Sequence, residues 1–87
     1  MAIGVQVNVG KGTTSDREGL VFGGSYHLPA TDTKPERVIL AVWDEKSSSQ
    51  KFELSVGDSL EFSGQSWRLD EIDDSSHRWY ATLTRVA

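Results

Sequence analysis

Apolar and polar residues alternate along short runs of this chain, most regularly in residues 50–86. Phe52 and Leu54 are separated by one polar residue, and the same spacing returns at Trp67 and Leu69 after a glycine-containing turn. Because side chains two apart lie on the same face of a strand, each run presents one apolar face. The pattern predicts short antiparallel strands joined by tight turns, which together supply one wall of a core.

The first half of the chain is less regular. Residues 3–9 alternate and predict a half-buried strand, whereas residues 10–16 are polar and glycine-rich and predict a surface loop. Residues 20–28 predict a further strand, which is broken at Gly23-Gly24 because glycines inside a strand favour a bulge.

Residues 37–44 are the most hydrophobic run and predict a central strand covered on both faces. Residues 29–36 are polar, contain two prolines and predict a connection that crosses from one sheet to another. No helical period lasts for two turns, and the best candidate for a single helical turn is residues 15–19. We therefore expect one all-β domain over residues 1–87, a small antiparallel barrel or sandwich with about six or seven strands and little or no helix.

The chain is acidic, with thirteen acidic and nine basic residues and a formal net charge of -4 at pH 7. Residues 41–87 carry nine of the acids and five of the bases, so the acidic excess lies in the second half. This balance opposes binding to nucleic acid and to anionic membranes, and we expect neither as a partner. The chain has no cysteine, no signal peptide and no membrane-length apolar run, so the expected location is the cytoplasm.

Residues 70–74 include four carboxylates, among them Asp70, Asp73 and Asp74. Hard cations such as calcium take several oxygen ligands, so a calcium-dependent module is one interpretation. The segment lacks the spacing of an EF-hand loop, and strand alternation would place Asp70 and Glu71 on opposite faces. A solvated hairpin tip explains the same residues, and we expect no specific metal site and no cofactor.

Aromatic residues near the ends of the strands suggest a contact surface. Trp67 and Trp79 are in register with apolar residues and are predicted to face the core. Tyr80 lies on the opposite face from Trp79, so it is predicted to be exposed, whereas Trp43 ends a strand and fits either environment. The candidate interaction surface consists of Trp43, Tyr80, Thr82, Thr84, Asp70, Asp73 and Asp74.

His27 and His77 are the two histidines of the chain. A Ser–His–Asp set can be written from Ser76, His77 and Asp74, but adjacent residues in a turn cannot align a nucleophile, a base and an orienting acid. No nucleophile elbow accompanies them. His27 is predicted to lie in a loop, and we expect that the chain is not an enzyme.

Three short motifs resemble a known family. The chain resembles a family of small actinobacterial proteins that share a domain of unknown function, and the resemblance covers roughly the second half of the chain. The motifs that carry it are Val56-Gly57-Asp58, the hairpin Gly64-x-x-Trp67-Arg68-Leu69-x-x-Ile72 and the ending Ala81–Val86. The hairpin is also similar to that of small phage head–tail closure proteins. The first resemblance implies an actinobacterial origin and a compact β fold, and neither resemblance implies a catalytic residue.

These observations favour a non-catalytic module that binds another protein, as a monomer or a small homo-oligomer. A basic partner would suit the acidic residues 70–74 and would bind in a salt-sensitive way. One alternative is a structural subunit of a phage tail or injection-type particle, where small barrels stack in rings. The other is the calcium-dependent module.

Overall fold

The computed structural model describes residues 3–75 and 78–87. Within those ranges the all-β expectation is confirmed, with no helix, but the chain forms eight strands rather than six or seven. No helix in these ranges is long and apolar enough to span a membrane. The strands are β1 Gln6–Gly10, β2 Thr14–Arg17, β3 Leu20–Leu28, β4 Arg37–Trp43, β5 Gln50–Leu54, β6 Ser59–Phe62, β7 Gln65–Asp73 and β8 Tyr80–Arg85.

The strands form two four-stranded antiparallel sheets that enclose one apolar core. The first sheet has the order β1-β8-β7-β6, and the second sheet has the order β2-β3-β4-β5. Every ladder between described residues joins strands that are adjacent in sequence, except that β1 pairs with β8. Among the described strands β1 and β2 share no ladder, and neither do β5 and β6. The two sheets therefore do not close into a barrel, and the arrangement is the sandwich alternative.

Residues 13–19 differ from the expectation of a loop with a helical turn. Thr14–Arg17 form the edge strand β2, which pairs with β3. Glu18 and Gly19 make the two-residue turn between them, both with positive φ, 53° and 78°. Such a turn matches the right-handed twist of the strands it joins. The prediction failed because no side chain of β2 is fully buried, so the strand carries no apolar alternation.

Residues 29–36 do not cross between the sheets as expected. They connect β3 to β4, which are neighbours in the second sheet, and so form a long hairpin loop. The chain changes sheet instead at residues 11–13 and 55–58. The expected bulge in β3 is confirmed as a register shift between Gly24 and Tyr26.

The core lies between the sheets and is filled by alternating side chains. β4 is central in its sheet, but only one of its faces is buried, whereas the other face is half-buried. The edge of one aromatic ring meets the face of another across the core, where Phe22 and Trp67 lie 5.0 Å apart at 69°. This T-shaped geometry suits the quadrupoles of both rings. The buried apolar residues are Val7, Val9, Leu20, Phe22, Val38, Leu40, Val42, Leu54, Leu60, Trp67, Leu69, Trp79, Ala81 and Leu83.

Backbone hydrogen bonds tie the connection between β1 and β2 to strand β3 beside Gly24. Gly24 N donates to the Thr13 carbonyl at 3.1 Å, and Gly12 N donates to the Gly24 carbonyl at 3.1 Å. A Cβ at position 24 would lie 2.2 Å from the Gly10 carbonyl oxygen, so only glycine permits this approach. The residue therefore allows β1 of the first sheet to pass directly over β3 of the second.

Two successive hydrogen bonds made by side chains also link the sheets. The buried Trp67 donates its indole N–H to Gln65 Oε1 at 3.0 Å. Gln65 Nε2 in turn donates to the carbonyl of Glu18, in the β2–β3 turn, at 2.8 Å. Because the indole donor is removed from water, this bond satisfies a group that would otherwise destabilise the core.

Candidate interaction face and histidine–carboxylate cluster

The outer surface of the first sheet collects most of the predicted interaction residues. Ala81 and Leu83 of β8 are buried, so the alternate positions Tyr80, Thr82 and Thr84 point outward. In the ladder with β7, these three oppose Asp73, Glu71 and Arg68 respectively. We name this surface the acidic face and define it by Gln6, Asn8, Arg68, Asp70, Glu71, Asp73, Tyr80, Thr82 and Thr84.

Hydrogen bonds between side chains run across the acidic face. Asn8 Nδ2 donates to the Thr82 hydroxyl at 3.1 Å, and Gln6 Nε2 donates to the Thr84 hydroxyl at 3.3 Å. The Thr84 hydroxyl donates to Asp70 Oδ2, and Arg68 Nε donates to Asp70 Oδ1 at 2.7 Å. These bonds join β1, β8 and β7 and hold the polar side chains in fixed positions.

A bulge in β7 corrects the expected orientation of the acidic residues. The register with β8 shifts between Leu69 and Glu71, which leaves Asp70 as the extra residue. Leu69 remains buried, Glu71 opposes the outward Thr82, and Asp70 bonds the outward Thr84. Asp70 and Glu71 therefore lie on the same side of the sheet, not on opposite sides.

Tyr80 is 39% exposed at one end of the acidic face, as the alternation predicted. Its ring lies over Gly10 of the neighbouring strand, where a Cβ would stand 2.8 Å from the Tyr80 ring. Because Gly10 has no side chain, the Tyr80 ring packs directly against it. The ring is held by packing while its other side remains available to solvent.

Two carboxylates of this face, Asp70 and Asp73, are held in the ionised form. The hydrogen bond from Arg68, together with that from Thr84, lowers the pKa of Asp70 below its ordinary value. The pKa of Asp73 is lowered by bonds from the Ser75 hydroxyl and backbone N–H. The face therefore carries its negative charge at neutral pH.

Trp43 lies on the other side of the molecule from these residues. Val42 of β4 is buried, so Trp43 points to the outer surface of the second sheet, where its ring lies 3.3 Å from a Cβ built at Gly23. Apolar residues on β3 and β4 oppose one another on this surface. We name it the apolar face and define it by Val21, Tyr26, Ile39, Ala41 and Trp43.

Tyr26 is the exposed aromatic residue of the apolar face, and the sequence interpretation did not single it out. It opposes Ile39 in the ladder and is 61% exposed. The bulge after Gly24 changes which residues of β3 point outward, so simple alternation from Leu20 could not assign it. Apart from Asp74, the candidate interaction residues thus fall on two separate faces.

The predicted residue Asp74 belongs to a different group. His27 Nε2 lies 2.7 Å from Glu36 Oε2 and 3.7 Å from Asp74 Oδ2. His27 is in strand β3, not in a loop as expected, and its partner Val38 is buried. We name His27, Glu36 and Asp74 the histidine–carboxylate cluster. Ser76 and His77, which with Asp74 formed the Ser–His–Asp set considered from the sequence, lie outside the described residues.

Two open grooves lie at hairpin turns, away from this cluster. One, of about 390 Å³, is bordered by residues 61–66, and the other, of about 350 Å³, lies between Gly19 and residues 44–46. Asp44 in the second groove accepts backbone N–H bonds from Lys46 and Ser47 at 2.9 and 2.7 Å. These bonds, chiefly that from Lys46, lower the pKa of Asp44 and cap the turn.

Comparison with known proteins places the chain in a family but assigns it no activity. No curated protein and no solved structure matches the chain significantly. One family model, described as a family of unknown function (DUF6406), matches residues 3–87. The likeness thus extends over both halves of the chain, whereas the sequence motifs suggested the second half alone. Because the match spans nearly the whole sequence, the chain belongs to the DUF6406 family of unknown function.

Proposed function

We propose that this chain is a non-catalytic protein-binding module, and that its acidic face binds an arginine-bearing surface of another protein. The observation that carries the proposal is the pairing of Tyr80 with Asp73 across the β7–β8 ladder. Both side chains are exposed, and they lie side by side on one surface. A guanidinium group can stack on an aromatic ring while its N–H groups bond a carboxylate, which an ammonium group does less well.

The charge of the face supports a cationic partner. Asp70, Glu71 and Asp73 contribute three negative charges, and Arg68, the one basic residue in its definition, bonds Asp70. The depressed pKa values of Asp70 and Asp73 keep those two groups charged well below neutral pH. Complementary charge accelerates association and makes it sensitive to salt.

The hydrogen bonds of the face support binding in a second way. Binding normally costs free energy because mobile side chains become ordered. Here Asn8, Thr82, Thr84 and Asp70 are already bonded to their neighbours, and the Tyr80 ring already rests on Gly10. Less ordering remains to be done when a partner arrives.

The size of the molecule permits a standard interface. The chain exposes 5204 Å², so an interface of about 800 Å² per partner takes about a sixth of the surface. The principal extents are 37, 22 and 21 Å, so one side of the molecule has an area of this order.

The test compares an arginine-rich peptide with a lysine peptide of equal length, using the intact chain and isothermal titration calorimetry. We expect the arginine peptide to bind several-fold more tightly, with the amide signals of β7 and β8 shifting in NMR spectra. Tyr80→Ala should remove most of the preference for arginine. Tyr26→Ala is the matched control, because it removes an exposed tyrosine from the apolar face, and should leave the preference intact.

Equal affinity for both peptides, or an equal loss in the Tyr26 variant, would refute the assignment. Capture from a lysate of the source organism then tests for a natural partner. A partner should be retained by the Tyr26 variant, lost by the Tyr80 variant and released as the salt concentration rises. If nothing shows that dependence, the acidic face is not a binding surface.

A further inference from the structure

Three metal-ligating side chains from both sheets meet at one end of the sandwich. His27 comes from β3 of the second sheet, Glu36 precedes β4 in the same sheet, and Asp74 follows β7 of the first sheet. One ligand atom from each lies within 4.8 Å of the others. The cluster is separate from the acidic face and does not depend on the function proposed for that face.

In this arrangement two negatively charged carboxylates lie close to a single imidazole nitrogen. Glu36 and Asp74 both approach His27 Nε2, at 2.7 and 3.7 Å. Two neighbouring carboxylates repel each other unless positive charge lies between them. A protonated imidazole supplies one positive charge, whereas a divalent cation beside a neutral imidazole balances both carboxylates.

We infer that the histidine–carboxylate cluster binds a divalent transition-metal ion of the zinc class. Imidazole nitrogen suits zinc, iron, nickel and copper, while calcium and magnesium prefer oxygen ligands alone. One nitrogen and two carboxylate oxygens therefore select the former group. This differs from the calcium site considered for residues 70–74, because only Asp74 of that segment takes part.

The distances suit such an ion after small movements of the side chains. Metal–ligand bonds of about 2.1 Å in a tetrahedral site place ligand atoms roughly 3.4 Å apart. The two observed separations from the imidazole nitrogen bracket that value, at 2.7 and 3.7 Å. Three protein ligands leave the fourth position of a tetrahedral site for water or for an external ligand.

The surroundings hold the histidine while leaving a path for the ion. The His27 side chain is 15% exposed, and its ring lies 6.3 Å from that of the buried Trp79. Glu36 and Asp74 are more open, at 33% and 56% exposed. The imidazole is therefore oriented from the core side, and the carboxylates close over the ion from the solvent side.

The experiment titrates the full chain with zinc chloride and, separately, with calcium chloride, and measures the heat of binding and the melting temperature. We expect zinc to bind and to raise the melting temperature, because a ligand that binds the folded state stabilises it. Calcium should have no such effect at the same concentration. Cobalt(II) should give the visible absorption bands of a low-symmetry site.

His27→Asn, Glu36→Gln and Asp74→Asn should each weaken zinc binding at least tenfold. Asp32→Asn is the control, because it removes an exposed carboxylate from the same loop as Glu36 that is outside the cluster, and should bind zinc like the original chain. Glu36 and Asp74 are partly exposed, so their variants remain informative if the His27 variant folds poorly. Zinc binding that survives all three changes, or no binding to the original chain, would overturn the inference.

Discussion

The outer faces of the two sheets are built in different ways. On the acidic face, polar side chains bond one another across β1, β8 and β7, for example Asn8 to Thr82. On the apolar face, Val21, Ile39, Ala41 and Trp43 are half-buried against one another across β3 and β4. In both cases one aromatic ring lies over a glycine, Tyr80 over Gly10 and Trp43 over Gly23.

This contrast indicates that the two faces contribute unequally to stability. Burial of apolar area stabilises the fold by about 25 cal/mol per Å², whereas an exposed hydrogen bond exchanges with water and adds little. The apolar face should therefore stabilise the second sheet, while the acidic face mainly orders its own side chains. The sequence of the acidic face can therefore change with little loss of stability.

The largest effect is expected from Gly24→Ala, which disturbs the close approach of β1 to β3 and so the position of one sheet on the other. The new Cβ would lie 2.2 Å from the Gly10 carbonyl oxygen and 3.0 Å from the Trp79 ring. Because the backbone cannot yield without separating β1 from β3, we expect a loss of about 3 kcal/mol or more in the free energy of unfolding. Urea denaturation followed by tryptophan fluorescence measures it.

Gly23→Ala is the matched control for that variant, since it changes the adjacent residue of the same strand. Its Cβ would meet the Trp43 ring at 3.3 Å and the Thr14 methyl at 3.8 Å, and both are side chains that can move. We expect a loss below about 1 kcal/mol. Comparable losses of stability in the two variants would contradict the role assigned to Gly24 in the approach of β1 to β3.

The next largest effects are expected from Trp43→Ala and Tyr80→Ala, which each remove the aromatic side chain that lies over a glycine on one of the two faces. Trp43 is half-buried among apolar residues, so its removal should lower the free energy of unfolding by about 2 kcal/mol. Tyr80 is 39% exposed, and its removal should lower the free energy by about 1 kcal/mol. Thermal and urea denaturation of both variants give the values, and a larger loss for Tyr80 would reverse the contrast.

A smaller effect is expected from Thr84→Val, which keeps the branched shape and removes the hydroxyl. The hydroxyl accepts a bond from Gln6 and donates one to Asp70. We expect a loss of about 1 kcal/mol or less. Combining this change with Gln6→Ala in a double-mutant cycle measures the coupling, and a coupling near zero would mean that the bonds on this face do not stabilise the fold.

The smallest effect is the pH dependence contributed by Asp70. Its pKa is lowered in the folded chain by Arg68 and Thr84, so the carboxylate stabilises the fold above its unfolded pKa. That contribution disappears as the pH falls through the lower, folded value. The Asp70 side chain is 25% exposed, so we expect a contribution below about 1 kcal/mol after allowance for solvent.

Urea denaturation of the original chain and of Asp70→Asn checks that dependence. The difference between the two should be constant from pH 7 to about pH 5 and should shrink at lower pH, since the unfolded pKa is about 3.9. A difference that grows as the pH falls would have the wrong sign.

Apolar alternation predicts much of this structure and fails where alternation itself is absent. The inward positions of Trp67 and Trp79 and the outward position of Tyr80 follow from period two. Strand β2 has no buried side chain and could not be found in that way. The shared side of Asp70 and Glu71 depends on a bulge, which changes the parity that the prediction relies on.

The candidate sites are predictable to different degrees for the same reason. Tyr80, Thr82 and Thr84 lie on one strand, so their common face follows from the sequence. His27, Glu36 and Asp74 come from three segments and meet only because the ends of β3 and β7 lie together. Their spacing along the chain matches no local motif, and the pairing of strands is needed to bring them within reach.

The pairing of β1 with β8 has a consequence for the order of folding. Gln6 and Thr84 are hydrogen-bonded partners 78 positions apart, so β1 has no ladder until β8 has been made. The second sheet consists of successive hairpins and closes shorter loops, which form faster. The first sheet is therefore completed late, and a chain still emerging from the ribosome has its apolar face before its acidic face.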